Sequence, residues 1–190
     1  MAQEKIIIIT APSGAGKTSI TKYLLENYPQ LAFSISAATR QPRSGEKNGI
    51  DYYFISADDF KKKIGENAFA EWEMVYEGKY YGTLKTELER IWKENKIPVL
   101  DVDVKGAIHI QQQYPNNTLS LFIQPPSINA LRERLESRGT ETSESLNSRI
   151  NKAAYEISFN QLFSKIIIND NLDVACNDAA KVVENFLSQS

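Results

Sequence analysis

The stretch from Lys5 to Thr18 constrains this chain most. Lys5 to Thr10 carries four consecutive isoleucines, a β-branched run that reads as a strand buried on both faces. Ala11, Pro12, Ser13, Gly14, Ala15, Gly16, Lys17 and Thr18 follow, and Thr18–Tyr28 reads as a helix closed before Pro29. Strand, glycine-bearing turn, Lys-Thr and helix in that order make a phosphate-binding loop. Gly14 and Gly16 let backbone N–H groups turn inward around phosphate oxygens, and the helix N-terminus adds partial positive charge. In such a loop Lys17 reaches the β- and γ-phosphates, and the Thr18 hydroxyl ligates Mg²⁺. The strict pattern begins with Gly where this sequence has Ala11, a minor departure if that residue keeps a negative φ.

An α/β rhythm surrounds this motif. Phe33–Ala37 alternates like a strand, Thr39–Gly49 reads as an irregular loop, and Tyr52–Ile55 as a short strand followed by a helix start capped by Ser56. Phe69–Tyr76 and Lys79–Tyr81 are aromatic-rich and extended. Helical spacing returns at Thr83–Asn95, with Leu84, Leu88, Ile91 and Trp92 on one stripe. Strands are expected at 98–104, 119–123 and 165–169. Helices are expected at Ser127–Arg138, stopped by Gly139, from about Ser145 to Asn160, and at Val174–Leu187. The pattern predicts an α/β fold: a mainly parallel five-stranded sheet flanked by helices.

Composition excludes several classes. A formal net charge of -2 on 190 residues argues against a dedicated nucleic-acid binder. Cys176 is the sole cysteine and His109 the sole histidine, so no intrachain disulfide, multi-Cys zinc site or histidine-based triad is available. Cys176 reads as a small packed residue of the last helix, His109 as an exposed helix residue. Ile6–Ile9 is far too short for a signal-peptide core, and no stretch approaches a membrane span, so a cytoplasmic location without membrane contact is expected.

Further motifs punctuate the chain: Ser36 to Arg43 in Ser-Ala-Ala-Thr-Arg-Gln-Pro-Arg; Gly49-Ile-Asp-Tyr52; Glu71-Trp72 followed by Tyr80-Tyr-Gly-Thr83; Leu100-Asp-Val-Asp103 with Gly106; Arg-Gly-Thr-Glu-Thr at 138–142; and Ile-Asn-Asp ending the last strand. With the phosphate loop, this set resembles the guanylate kinases from about residue 5 to residue 187. The resemblance implies a P-loop NTPase core (1–32, 83–126 and 160–190), a small mixed GMP-binding insertion (33–82) and a short lid (127–159). It implies transfer of the γ-phosphoryl group of Mg-ATP to GMP, and to dGMP, in purine nucleotide metabolism. Another nucleoside monophosphate kinase with the same core, and a non-catalytic guanylate-kinase-like module that binds protein partners, are the rival readings. Retention of Lys17 and Thr18 speaks against the second.

By the same resemblance, Arg40, Arg43, Tyr52 and Tyr81 grip the GMP phosphate, and guanidinium forks and phenolic hydroxyls suit that task. Glu71 stands where the family reads guanine: one carboxylate accepts from both N1–H and the exocyclic amine, whereas adenine presents an acceptor. Ser36 and Thr83 match its hydroxyl contacts to the base, Thr83 standing where the family often has Ser. Asp101 and Asp103, two apart on one expected strand, share a face. Asp101 follows the apolar run like a Mg²⁺-serving acid and Asp103 resembles the GMP-contacting one, but spacing does not decide between the two roles. Arg134, Arg138 and Arg149 correspond to lid arginines that join Lys17 and Arg40 in catalysis. Asn169 corresponds to the adenine contact, with Arg138 beside it.

Overall fold

The computed structural model describes residues 4–137 and 142–188. Strand β1 (Ile6–Thr10) is buried at every position and lies at the centre of a five-stranded sheet. Its companions are β2 (Leu31–Phe33), β7 (Ile97–Asp101), β8 (Thr118–Gln124) and β9 (Lys165–Ile168), in the order β2-β7-β1-β8-β9. All its pairings are parallel. Alternation along β1 feeds two cores. Ile7 and Ile9 pack with Ile20 and Leu24 of α1 (Lys17–Asn27) and Ala179 and Val183 of α7 (Leu172–Ser188). Ile6 and Ile8 face the opposite layer, with Leu88 of α3 (Lys85–Lys93) and Ala107 and Ile110 of α4 (Val104–Gln113). The run is apolar at every position because helices cover both faces.

Between β2 and α3 the chain builds a second sheet, order β4-β3-β6-β5, from β3 (Ala37–Ala38), β4 (Tyr53–Phe54), β5 (Phe69–Tyr76) and β6 (Lys79–Leu84). Its pairs are mixed, with β3–β4 parallel and β3–β6 and β5–β6 antiparallel. Helix α2 (Ala57–Gly65), capped by the Ser56 hydroxyl, seats fully buried Phe60 against Phe69, ring centroids 4.3 Å apart. Helices α5 (Ile128–Glu136) and α6 (Ser143–Ile157) bury Leu131, Leu135, Leu146, Ile150 and Ala153 in a cluster of their own.

Three expectations need correction. Phe33–Ala37 is not one strand: Phe33 ends β2 in the large sheet and Ala37 begins β3 in the small one, so Ser34–Ser36 is the crossing between sheets. Asp103 is not in a strand with Asp101: β7 ends at Asp101, and Asp103 is the N-cap of α4, its carboxylate accepting from the Gly106 N–H. Thr83 and Leu84, expected to open a helix, still belong to β6, where Thr83 pairs across from Glu71. Gly139 lies outside the described residues.

Candidate active site

The turn after β1 is shaped for an anion. Gly14 and Gly16 have φ of +92° and +96°, whereas Ala11 is not among the positive-φ residues, so its side chain adds no strain. Helix α1 starts without a side-chain cap and without an acid in its first turn, which leaves its N-terminal donors suited to phosphate oxygens. The loop is also packed from behind. A Cβ on Gly14 would come within 2.8 Å of Leu135 Cδ2, and one on Gly16 would collide with the Asn169 amide. Buried Asn169 donates from Nδ2 to the Ala15 carbonyl at 2.7 Å. Lys17 forms an ion pair with Asp101 at the end of β7, and both side chains are partly exposed.

The loop forms one wall of a cavity of about 440 Å³. The floor is Asp101 and Asp103, and α6 supplies Arg149, Lys152 and Glu156. From the small sheet come Ser36, Glu71, Glu73 and Tyr81. Thus Ala11, Pro12, Ser13, Gly14, Gly16, Lys17 and Thr18 share one cavity with the residues expected to read a purine. Ala15, Thr83 and Asn169 are buried behind its walls.

Glu71 is 7% exposed, and its neighbours account for that burial. Thr83, facing it across the β5–β6 ladder, donates to Oε1 at 2.7 Å. A Cβ on Gly106 would come within 2.6 Å of Glu71 Oε2, so only glycine leaves the carboxylate room. Burial raises the Glu71 pKa to about 7; the Thr83 hydrogen bond opposes that, and the nearby Asp103 charge adds to it. A buried acid facing a cavity and poised near neutrality suits a ligand offering paired donors.

Arg40 is not among the residues that line this cavity and packs instead against the rings of Tyr52 and Phe54. Its fork engages Glu46 at 2.5 and 2.7 Å, and its guanidinium carbon lies 4.9 Å from the Tyr52 ring centroid and 5.5 Å from that of Phe54. The Arg43 backbone N–H donates to the same Glu46 carboxylate at 2.7 Å. The Arg40 fork, followed by the Arg43 N–H, holds Glu46 down to about 2. Tyr52 meets Tyr81 edge-on at 6.1 Å between centroids, and burial followed by the Asp101 charge pushes the Tyr52 hydroxyl up. Arg40, Tyr52 and Tyr81 therefore form one group; the Arg43 side chain is exposed.

On α5, Arg134 donates to the Asp170 carbonyl at 3.1 Å. Arg138 lies outside the described residues. Sequence reasoning missed Glu46, Lys152 and Glu156. The last two follow Arg149 at i+3 and i+7, a helical spacing that places them on its face and was there to be used. Nothing in the pattern around Glu46 singles it out.

A phosphate loop at the carboxyl end of a parallel sheet, sharing its cavity with a second polar pocket, defines an α/β P-loop nucleotide-binding protein. The sequence matches the family model for guanylate kinase over residues 3–186. The chain belongs to the guanylate kinase family. It is 50% identical over 185 residues to the guanylate kinase of Bacteroides fragilis, covering 97% of this chain and 91% of that one. With the guanylate kinase of Porphyromonas gingivalis it shares 46% identity, over 97% of this chain and 99% of the relative. The crystal structure of guanylate kinase from Anaplasma phagocytophilum superposes with a TM-score of 0.78 at 26% identity, over 98% of this chain and 87% of that one.

Proposed function

We propose that this chain transfers the γ-phosphoryl group of ATP to GMP, and to dGMP, giving ADP and the nucleoside diphosphate. One observation carries the reading: the buried Glu71 carboxylate opens into the same cavity as the phosphate loop. Guanine offers N1–H and the 2-amino group side by side, and a carboxylate accepts both. Adenine turns an acceptor toward it and leaves the acid unpaired, a mismatch that sites built on hydrogen bonds penalise heavily. Ser36 and Thr83 add hydroxyls on the base side, and Asp103 faces the nucleoside. Arg40, Arg43, Tyr52 and Tyr81 are assigned to the acceptor phosphate. The Arg40 Nε, buried and without a hydrogen-bond partner among the described residues, is a donor such an oxygen would satisfy.

On the donor side, the backbone N–H groups of the loop hold the phosphates and Lys17 leaves Asp101 for them. Arg134, Arg138 and Arg149 are assigned to the charge that develops on the moving phosphoryl group. Asn169 is assigned to the adenine edge, from its place at the end of β9. The Thr18 hydroxyl and the Asp101 carboxylate are hard oxygen donors beside Lys17, which fits Mg²⁺; bound there, the ion would neutralise phosphate charge. Alignment of two substrates in one cleft, with water excluded, is then the main catalytic contribution.

A coupled assay of the purified chain with Mg-ATP and each of the four nucleoside monophosphates tests this. GMP is expected to be turned over fastest, with turnover lost in Lys17→Ala. AMP turned over faster than GMP, or equal rates in both proteins, would reject the proposal. No helix among the described residues is long and apolar enough to cross a membrane.

A further inference from the structure

Glu87, on the first turn of α3, has no part in the mechanism above. It is an acid only 3% exposed, on a helix whose next residue, Leu88, packs on the large sheet with Ile6 and Ile8. A carboxylate is expensive to bury, and an interior position retains one only where its lone pairs are taken up. Here they are. Oε1 accepts from the Ile35 N–H at 3.1 Å and from Arg90 Nη2 at 2.8 Å. Oε2 accepts from the Tyr53 hydroxyl at 2.9 Å and from Arg90 Nε at 3.0 Å. Arg90 is held in turn by Glu94 at 2.7 Å.

The partners matter because of their location. Ile35 lies in the crossing between the two sheets, one residue before Ser36. Tyr53 begins β4, one residue after Tyr52. The two are already linked, since the Tyr53 N–H donates to the Ser36 carbonyl at 2.9 Å. A closed circuit results: Glu87 to the Ile35 N–H, along the chain to the Ser36 carbonyl, across to Tyr53, and back through its hydroxyl to Glu87. The circuit joins a helix of the core to the segments that carry Ser36 and Tyr52, each one residue before a strand of the small sheet, at the place where the chain leaves one sheet for the other. Burial alone would favour the neutral acid, but the Arg90 fork with the Ile35 and Tyr53 donors holds the Glu87 carboxyl below its ordinary range.

We infer that Glu87 is a positioning residue for the acceptor nucleotide, fixing Ser36 and Tyr52 relative to the core through Ile35 and Tyr53. It touches no substrate and acts through the backbone on either side of the circuit. The inference rests on the assignment of Ser36 and Tyr52 to GMP. A contact that fixes where the acceptor pocket sits alters acceptor binding, and since none of the hydrogen-bond partners of Glu87 belongs to the phosphate loop, that loop is left untouched.

The test is steady-state kinetics of the full chain with both substrates varied. Tyr53→Phe, which deletes one limb and little volume, is expected to raise KM for GMP about threefold, as loss of one hydrogen bond allows. Glu87→Ala is expected to raise it about tenfold or more, with Glu87→Gln between, while KM for ATP moves less than about twofold. The double variant Glu87→Ala/Tyr53→Phe should be no worse than Glu87→Ala, since both cut the same circuit. Simple loss of stability would lower the active fraction, and so kcat, without separating the two substrates. If Glu87→Ala does not fold, Tyr53→Phe decides alone. Ser36→Ala and Tyr52→Phe serve as the reference. If these raise KM for GMP while the Glu87 and Tyr53 variants do not, positioning is overturned and the assignment stands. If no substitution at any of the four positions moves it, both fall.

Discussion

Guanine binding should expel a proton, and the size of that release is set by Glu71. In the ligand-free chain, burial raises this acid to about 7, so at neutral pH about half the molecules carry it protonated. Only the carboxylate accepts from both guanine donors, so binding selects the ionised form. The released fraction attributable to Glu71 is then about 0.9 at pH 6, about 0.5 at pH 7 and about 0.1 at pH 8. Affinity should fall in step, about tenfold from pH 8 to pH 6. GMP itself complicates the raw signal, because a phosphate monoester titrates near pH 6, with a second pKa of about 6. Comparison with Glu71→Gln removes that contribution, since the ligand titrates identically against both proteins. The assay is isothermal titration calorimetry at each pH in two buffers of different ionisation enthalpy. The wild-type release minus that of the variant should follow the three values given. Equal release from both proteins throughout would refute the claim that Glu71 is the acid guanine meets.

The same acid predicts a stability trend. Its native pKa lies above the unfolded value, so its contribution is fully present below about pH 4.5 and is lost as pH rises through about 7; ligand-free Glu71→Gln should therefore gain in melting temperature relative to wild type between pH 5 and pH 8, and a gap that does not change with pH would contradict it. Gly16→Ala should cost about 1–2 kcal/mol for its left-handed backbone, and more from the Asn169 collision, read as loss of both melting temperature and ATP binding. Asn169→Ala strands the buried Ala15 carbonyl and should raise KM for ATP well above any change in KM for GMP, with a stability loss of about 1–3 kcal/mol in denaturant titration. Arg43→Ala should do the opposite, raising KM for GMP far more than KM for ATP.

Much of the chain was legible in advance, for reasons that vary with distance along it. The phosphate loop lies within eight consecutive residues, and its glycines, lysine and helix start act through local backbone geometry, so the string alone defines it. The buried parallel strand was equally plain, because four isoleucines in a row have no solvent face to offer. Phe33–Ala37 misled because alternation cannot reveal that a strand stops and its neighbour joins another sheet. Asp103 misled because the residue that ends a strand and the residue that caps the next helix look alike at a spacing of two.

What only the folded chain decided is how charges pair. Glu46 lies six residues from Arg40, Glu71 lies 12 from Thr83, and Glu87 lies 52 from Ile35. Residue types along the chain settle which groups are available and which backbone turns are permitted. Whether a given acid is solvated, poised near neutrality or, like Glu87, held by four hydrogen bonds depends on what packing brings beside it, and burial and partner geometry exist only once both sheets have closed.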